Sequence, residues 1–301
     1  MPDQTGRTVL VTGGTSGLGL ASATALAAAG ARVLLTARDA GRGRRACELA
    51  GPNAELVELD LADLDSVHRA AADVRERTGD ALHVLMNNAG VMGTPPGMTV
   101  DGFETQIATN HLGHAALTWL LMPALRGGGH ARVVTLSSLA HRGPGLNVED
   151  LNFLQRAYVP ARAYSQSKLA NLLFAAELDR RLRAHGSGDR GDVISVAAHP
   201  GLTDTELLGN SMRLRGAWLA PVARAINLLT TQRVATGILP QLYAATATQV
   251  RGGDYVGPRG LAEIRGKPAP ARRSAAAQDA ELARRLWEVT ATATGVTPDP
   301  A

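Results

Sequence analysis

A tyrosine and a lysine stand four residues apart in one uninterrupted, helix-forming stretch of this 301-residue chain. The stretch is AYSQSKLANLLFAAELDRRL, from Ala163 to Leu182, and it contains Tyr164 and Lys168. On a helix, residues i and i+4 lie on one face, so the ammonium group would sit beside the phenol. A nearby cation lowers a tyrosine pKa from its ordinary value near ~10. This spacing is compatible with proton exchange at a substrate oxygen, although a lone Y-x-x-x-K also occurs on ordinary amphipathic helices.

A glycine-rich turn follows the first predicted strand, RTVLVT at Arg7 to Thr12. The turn, GGTSGLG, leads into an Ala-rich helix. Strand, glycine turn and helix together place a pyrophosphate on the amides of a helix N-terminus. Gly13 allows the tight turn, and Gly17 and Gly19 let phosphate and strand approach the backbone. In this context the glycines predict a nucleotide site rather than a structural turn.

The ends of the second and third predicted strands bear on the nucleotide. In NAD-specific proteins an acidic residue near the end of the second strand holds the ribose 2′-hydroxyl. Here that strand, Arg32 to Ala37, ends without an acid and is followed by Arg38, which suits a 2′-phosphate. The sequence therefore predicts NADP(H) over NAD(H). The third strand ends in Asp60 and Leu61, where the carboxylate is either an adenine ligand or a helix cap.

Three further strand ends carry polar or glycine residues: NNAG at Asn87 to Gly90, Ser138 after the fifth strand, and His199-Pro200-Gly201 after the sixth. Alternating strands and helices predict a parallel sheet covered on both faces. Ligands bind such sheets outside the carboxyl ends of the strands, so these residues should share one edge. The predicted fold class is α/β: a single doubly wound Rossmann domain with a parallel sheet of about seven strands and helices on both faces.

We expect residues 1–301 to form one domain. Residues 5–90 are predicted as the cofactor-binding half, 91–260 as the catalytic and substrate half, and 261–301 as a C-terminal extension. A long helix is predicted from Phe103 to Leu125 and a turn at 186–191. The segment 203–229 is apolar and is predicted to be a lid over a lipophilic substrate. Packing of that segment on the core or on a partner subunit is the alternative.

Composition excludes several classes of protein. The net charge is +4, but the arginines are scattered and aromatic residues make up only 3%, which argues against nucleic-acid binding. The single cysteine, Cys47, suits a reducing compartment. No signal peptide, membrane anchor or metal-ligand spacing is evident, so we expect a cytoplasmic protein without a bound metal.

With these motifs in place, the sequence resembles the short-chain dehydrogenase/reductase family over nearly all of its length. TGGTSGLG, NNAG, TNHLGH and HPGLTDT match family segments. NHLGHAALT, LSSLAH and AYSQSKLANLLFAAEL resemble the retinol dehydrogenase-like branch in particular. The resemblance implies a catalytic set of Ser138, Tyr164, Lys168 and Asn110. It also implies cofactor contacts from Gly13, Thr15, Ser16, Gly17, Leu18, Gly19, Arg38, Asp60, Leu61, Asn87, Ala89, Gly90, Tyr164, Lys168, Pro200, Gly201, Thr203 and Thr205.

The function implied is an NADP(H)-dependent oxidoreductase that interconverts a carbonyl and an alcohol on a lipophilic small molecule. Tyr164 would be the general acid/base, Ser138 would bind the reacting oxygen, and Asn110 would support a water that links Lys168 to solvent. Two alternatives stay open: a C=C reductase of the protochlorophyllide reductase type, and a non-catalytic NADP(H)-sensing regulator. Family members often pair the helices that correspond to Phe103 to Leu125 and Tyr164 to Leu182 across a two-fold axis, which implies a homodimer; burial of the same apolar faces within the monomer is the alternative.

Overall fold

Eight strands form one sheet in the computed structural model, which describes residues 1–186, 193–202 and 234–300. The strands are β1 (Thr8–Val11), β2 (Arg32–Ala37), β3 (Ala54–Glu58), β4 (Val84–Asn87), β5 (Ala131–Leu136), β6 (Val193–Ala198), β7 (Tyr255–Pro258) and β8 (Pro268–Pro270). Their order is β3-β2-β1-β4-β5-β6-β7-β8. The first seven are parallel, as predicted, and the antiparallel β8 is an addition. Its sequence, Pro-Ala-Pro, carries no strand pattern, and proline is tolerated at a sheet edge.

The strand order shows where on the sheet a ligand would bind. The chain passes from β1 outward to β2 and β3, then crosses back to β4 on the other side of β1. Such a reversal opens a crevice at the carboxyl ends of the strands. The strands read as apolar runs because both faces of a parallel sheet are covered. In β1, for example, Val9, Leu10 and Val11 are fully buried.

Helices cover both faces of the sheet. They are α1 (Gly17–Ala28), α2 (Ala40–Ala50), α3 (Leu64–Thr78), α4 (Thr105–Ile107), α5 (Gly113–Leu120), α6 (Met122–Gly127), α7 (Pro160–Ala184), α8 (Val234–Gly237), α9 (Leu239–Thr246) and α10 (Ala280–Thr294). One apolar cluster joins the sheet to α3, α5, α7 and α10, and a second joins it to α1, α2 and α9. The cofactor turn and the tyrosine helix are thus fixed to one rigid sheet.

The long helix predicted from Phe103 to Leu125 is interrupted. Between α4 and α5 the chain forms a π-helical turn over Ala108–Leu112, and α6 begins only after a break at Leu121. Asn110 lies within the π turn. Asparagine is a poor helix former, and π turns inside helices concentrate at functional sites. The interruption therefore falls on the one residue of this stretch that the resemblance assigns to catalysis.

The C-terminal helix α10 packs on α7 and α5. Trp287 stacks on Phe174 with ring centroids 5.4 Å apart and meets Trp119 edge-on at 4.9 Å. Only 3% of Trp287 is exposed. The homodimer expected through the helices at Phe103 to Leu125 and Tyr164 to Leu182 stays a prediction. Any such pairing would have to use the parts of α5 and α7 that α10 does not cover.

Several predicted features lie outside the described residues. They are the lid at 203–229 with Thr203 and Thr205, and most of the turn at 186–191. No helix within the described ranges is both long and apolar enough to cross a bilayer.

Candidate active site

The glycine turn after β1 is built for close contact. Gly13 has a φ of +67°, and a Cβ there would lie 2.9 Å from Ala89. A Cβ at Gly19 would lie 2.2 Å from the carbonyl oxygen of Gly13. Ser16 caps α1 without a side-chain hydrogen bond, and the first turn holds no acid. The α1 amides are thus left for an anion, which fits a pyrophosphate.

A cavity of about 350 Å³ opens beside this turn. It brings together most of the predicted cofactor residues, namely Gly13, Thr15, Ser16, Gly17, Leu18, Gly19, Arg38, Asp60, Leu61, Ala89 and Gly90. It is also lined by residues that the sequence did not single out as ligands, among them Asn88, Val91 and Thr109. The cavity runs from the end of β2 to the loop after β4, along the carboxyl ends of the strands where doubly wound sheets bind dinucleotides.

The end of the cavity at β2 is cationic. Arg38 and Arg42 both line it, and Ala37 stands where an acid would exclude a 2′-phosphate. Asp39 also lines it, but its carboxylate caps α2 by accepting a hydrogen bond from the Arg42 amide at 2.7 Å. Arg42 was not among the cofactor residues predicted from the sequence. Its one sequence signal is its position in the first turn after Arg38.

Asn87 differs from its predicted position. It is fully buried, and its amide donates to Thr118 Oγ1 at 3.0 Å, away from the cavity. The next residue, Asn88, lines the cavity instead and donates to the Thr12 carbonyl at 2.8 Å. A strand alternates its side chains between faces, so a shift of one residue reverses the direction of the side chain.

Ser138, Tyr164 and Lys168 come together where β5 meets the first turns of α7. The Ser138 hydroxyl lies within reach of the Tyr164 phenol and accepts from the Ala140 amide at 3.2 Å. Lys168 Nζ lies 5.7 Å from the centre of the tyrosine ring. It donates to the Leu136 carbonyl at 3.3 Å. The i, i+4 spacing therefore does place ammonium and ring on one helix face.

The electrostatics of the pair differ from the sequence expectation. Burial raises the pKa of Tyr164, and the hydrogen bond with Ser138 offsets this only in part. Burial also lowers the pKa of Lys168 to about 8. The lysine was expected to lower the tyrosine pKa, but its ammonium bonds to a strand carbonyl and sits over the ring rather than at the phenolic oxygen. Desolvation therefore outweighs the cation in the isolated protein.

Asn110 joins the catalytic end to the cavity. Its amide nitrogen donates to Val91 O and Ser167 Oγ, both at 2.9 Å, and its oxygen accepts from the Val91 amide at 2.8 Å. Both amide hydrogens are thus used, which leaves the oxygen one lone pair. A Cβ at Gly90 would lie 3.2 Å from Asn110 Oδ1 and 3.4 Å from Lys168 Nζ. The predicted catalytic residues do not line the cavity; Asn110 and Lys168 adjoin it at Gly90, and Tyr164 and Ser138 follow beside Lys168.

The structure also shows the predicted Pro200-Gly201 segment and a second tyrosine, Tyr158. Pro200 and Gly201 follow β6 at the same edge of the sheet, and Gly201 has a φ of +72°. Tyr158, a second tyrosine with Arg162 rather than a lysine four residues on, is engaged elsewhere: its hydroxyl accepts from Gln106 Nε2 at 2.9 Å and lies 3.1 Å from the Thr94 carbonyl. It anchors a loop, whereas Tyr164 adjoins Ser138.

Comparison with known proteins agrees with this geometry. The family model described as short chain dehydrogenase matches residues 7–214. The chain belongs to the short-chain dehydrogenase family. Polyprenol dehydrogenase of Mus musculus is 40% identical over 296 residues, which cover 95% of this chain and 83% of that protein. Retinol dehydrogenase 13 of Homo sapiens is 37% identical over 306 residues, which cover 97% and 85%. The predicted family and its retinol dehydrogenase-like branch are both confirmed.

Solved structures of short-chain dehydrogenases and related proteins share the fold. A protein from Mycobacterium paratuberculosis matches with a TM-score of 0.80 and 42% identity, covering 98% of this chain and 96% of its own. The RhlG/NADP active-site complex of Pseudomonas aeruginosa matches with a TM-score of 0.65 and 25% identity, covering 84% and 94%. This protein is accordingly an enzyme that acts on CH-OH or C=O groups of a small molecule with NAD(P)(H). In the part of the chain that the structure describes, no group of three or more His, Cys, Asp or Glu side chains could hold a metal ion.

Proposed function

We propose that this enzyme is an NADP(H)-dependent oxidoreductase that interconverts a carbonyl and an alcohol on a lipophilic small molecule. The observation that carries the proposal is one continuous arrangement: Arg38 and Arg42 at one end of the cavity, and Ser138, Tyr164 and Lys168 adjoining the other. NADP(H), when bound, supplies or accepts the hydride. The glycine turn and the α1 amides would hold its pyrophosphate, and the two arginines its 2′-phosphate.

Tyr164 moves the proton. Its raised pKa keeps the phenol protonated at neutral pH, so it is ready to donate to a carbonyl oxygen. Ser138 accepts from the Ala140 amide, so its one hydrogen, directed at the Tyr164 oxygen in the isolated protein, can turn to the same substrate oxygen. Lys168 is cationic below about pH 8, close enough to the ring to stabilise a developing phenolate. A water that donates to the free lone pair of Asn110 would link Lys168 to solvent.

Two lines support a lipophilic substrate. Polyprenol dehydrogenase and retinol dehydrogenase 13 are named for lipophilic alcohols, and this chain covers most of both. The segment 203–229 follows the strand that leads to Pro200 and Gly201, and its composition is apolar. Pockets for such substrates are mostly apolar with a few placed polar groups.

A homologous series of methyl ketones tests the proposal, with turnover followed by nicotinamide absorbance. Each added buried CH₂ should gain about 0.8 kcal/mol in transition-state binding until the pocket is full, so kcat/KM should rise with chain length. A flat series, or a preference for charged sugar-like substrates, would reject the lipophilic assignment. An α,β-unsaturated ketone included in the panel separates carbonyl reduction from C=C reduction by its product. Cofactor binding without any turnover would instead favour the sensor.

A further inference from the structure

A cluster of buried polar side chains lies beside Ser138 and has no part in the chemistry above. The ring of Tyr255 lies 5.7 Å from that of His141 and 5.3 Å from that of His199. His141 Nδ1 lies 2.7 Å from the Ser138 carbonyl, and its Nε2 lies 3.3 Å from the Ser274 amide. A carbonyl only accepts and an amide only donates, so Nδ1 carries the proton of His141. The backbone of Ser138 is thereby tied to the segment after β8.

A second histidine makes the corresponding tie after β6. The Gly201 amide donates to His199 Nδ1 at 3.2 Å, so in the neutral ring the proton is on Nε2. That nitrogen lies 3.2 Å from Glu263 Oε2. This is within ion-pair distance, but the angles are not those of a regular hydrogen bond. The His199 side chain is fully buried. A Cβ at Gly257 would lie 2.0 Å from its Nε2, so β7 has no room for a side chain there.

Glu263 contacts both loops, the one after β5 through Arg142 and the one after β6 through His199. Its Oε2 accepts a hydrogen bond from Arg142 Nη2 at 2.6 Å, and its Oε1 accepts one from the Arg272 amide at 2.9 Å. Only 13% of its side chain is exposed. Arg142 belongs to the short helical turn that Ser138 caps, and His199 directly precedes Pro200. One carboxylate thus contacts the loops after β5 and β6.

The backbone around Glu263 is held in an unfavourable conformation. Ala262 and Glu263 have φ values of +51° and +60°, in the left-handed region that side-chain-bearing residues rarely adopt. Such residues persist only where their surroundings fix them, and they cluster at functional sites. The next residue contacts the segment after β6 directly. The carbonyl oxygen of Ile264 accepts a hydrogen bond from the Leu202 amide at 2.9 Å. A Cβ at Gly201 would lie only 2.2 Å from the same oxygen.

We propose that Glu263 is a positioning residue for the active site, and that its carboxylate fixes the loop carrying Ser138 relative to the Pro200-Gly201 segment. The hairpin between β7 and β8 is then part of the catalytic machinery, although residues 261–301 read as an extension in the sequence. The inference rests on the proposed function, in which Arg38 and Arg42 hold the adenosine end of the cofactor, so that the nicotinamide end lies toward Ser138 and the Pro200-Gly201 segment. Loss of the carboxylate should loosen that end and leave the adenosine end as it is.

The test compares Glu263→Ala and Glu263→Gln with a matched control, Glu281→Ala, whose carboxylate is an exposed partner of Arg284. NADP⁺ and adenosine 2′,5′-bisphosphate are titrated by calorimetry, because the second probe lacks the nicotinamide half. For Glu263→Ala we expect NADP⁺ affinity to fall about tenfold and kcat to fall by about tenfold or more, with bisphosphate affinity unchanged. Glutamine offers one acceptor oxygen in place of two, so it should recover part of both losses.

Hydrogen exchange gives a readout that needs no substrate. The Leu202 and Arg272 amides should exchange faster in Glu263→Ala than in the wild type or the control, with the amides of β1 unchanged. Equal NADP⁺ affinity and kcat in Glu263→Ala and wild type would overturn the inference alone. An equal loss for both nucleotides would also overturn it, because the effect would then be global. A wild-type protein that binds no nicotinamide nucleotide would overturn the proposed function and this inference together.

Discussion

Thr12 Oγ1 and His114 Nε2 lie 2.8 Å apart, in a buried contact that connects the glycine turn to the π turn. The Asn110 carbonyl lies 3.0 Å from His114 Nδ1 and can only accept, so that nitrogen carries the proton. Nε2 then accepts from the Thr12 hydroxyl. The same hydroxyl accepts from the amides of Asn88 and Ala89, both at 2.9 Å. A neutral histidine thereby joins the backbone of Asn110 to the floor of the cofactor cavity.

His114 makes stability depend on pH. Burial lowers its pKa to about 4, below the ordinary value of 6.5. Below pH 6.5 the unfolded chain binds a proton that the folded chain refuses, so stability should fall as the pH falls from 6.5 to about 4. At about 1.4 kcal/mol per pKa unit, this residue accounts for a loss of about 3 kcal/mol. Burial also lowers the pKa values of His111 and His199, so both residues should add to the loss of stability in acid.

Chemical denaturation of His114→Gln between pH 7.5 and 4 checks this, with the exposed His68→Gln as control. At pH 7 the His114 variant should be less stable by roughly 1–3 kcal/mol, because a buried hydrogen-bond pair is disturbed. Its stability should then fall less steeply with acid than that of the wild type. Parallel pH profiles for the wild type and both variants would show that His114 does not titrate in this range.

Tyr164→Phe should remove the proton donor and keep the ring. We expect turnover to fall by at least about 10²-fold, the usual size of a general acid/base contribution, with cofactor affinity nearly unchanged. Tyr158→Phe is the matched control, because its hydroxyl anchors a loop to Gln106 and Thr94. It should lose stability and keep most of its turnover. The reverse pattern would move the catalytic assignment to Tyr158.

Arg38→Ala should weaken NADP(H) binding by roughly 1–3 kcal/mol, the scale of a charge-assisted contact, and leave NAD(H) binding unchanged. Arg42→Ala should act in the same direction, because both guanidinium groups line the same end of the cavity. Arg45→Ala, an exposed change farther along α2, serves as control. Calorimetric titration with both cofactors measures each effect. Equal affinity of the wild-type protein for the two cofactors would remove the basis of the assignment.

The sequence predicts the frame of this enzyme better than the local electrostatics of its site. Apolar runs and glycine positions locate β1 to β7 because a parallel sheet imposes continuous burial on its strands. Three features depend instead on contacts between distant segments. They are the π turn at Asn110, the position of Asn88 rather than Asn87 in the cavity wall, and the hairpin that carries Glu263. The Tyr164 pKa shows this most clearly: spacing places Lys168 beside the ring, but only the fold determines how deeply both are buried.

Lys168 should determine the alkaline limit of carbonyl reduction. Its pKa of about 8 means that the ammonium is lost as the pH rises through 8, whereas the raised pKa of Tyr164 keeps the phenol protonated well beyond that point. The charge near the phenol disappears first, so kcat/KM for reduction should be level near pH 7 and decline above about pH 8, a profile that reports the free enzyme. Lys168→Arg keeps its charge throughout, and its residual activity should show no decline at pH 8. A wild-type profile that is level up to pH 10 would show that the phenol donates its proton without help from the ammonium.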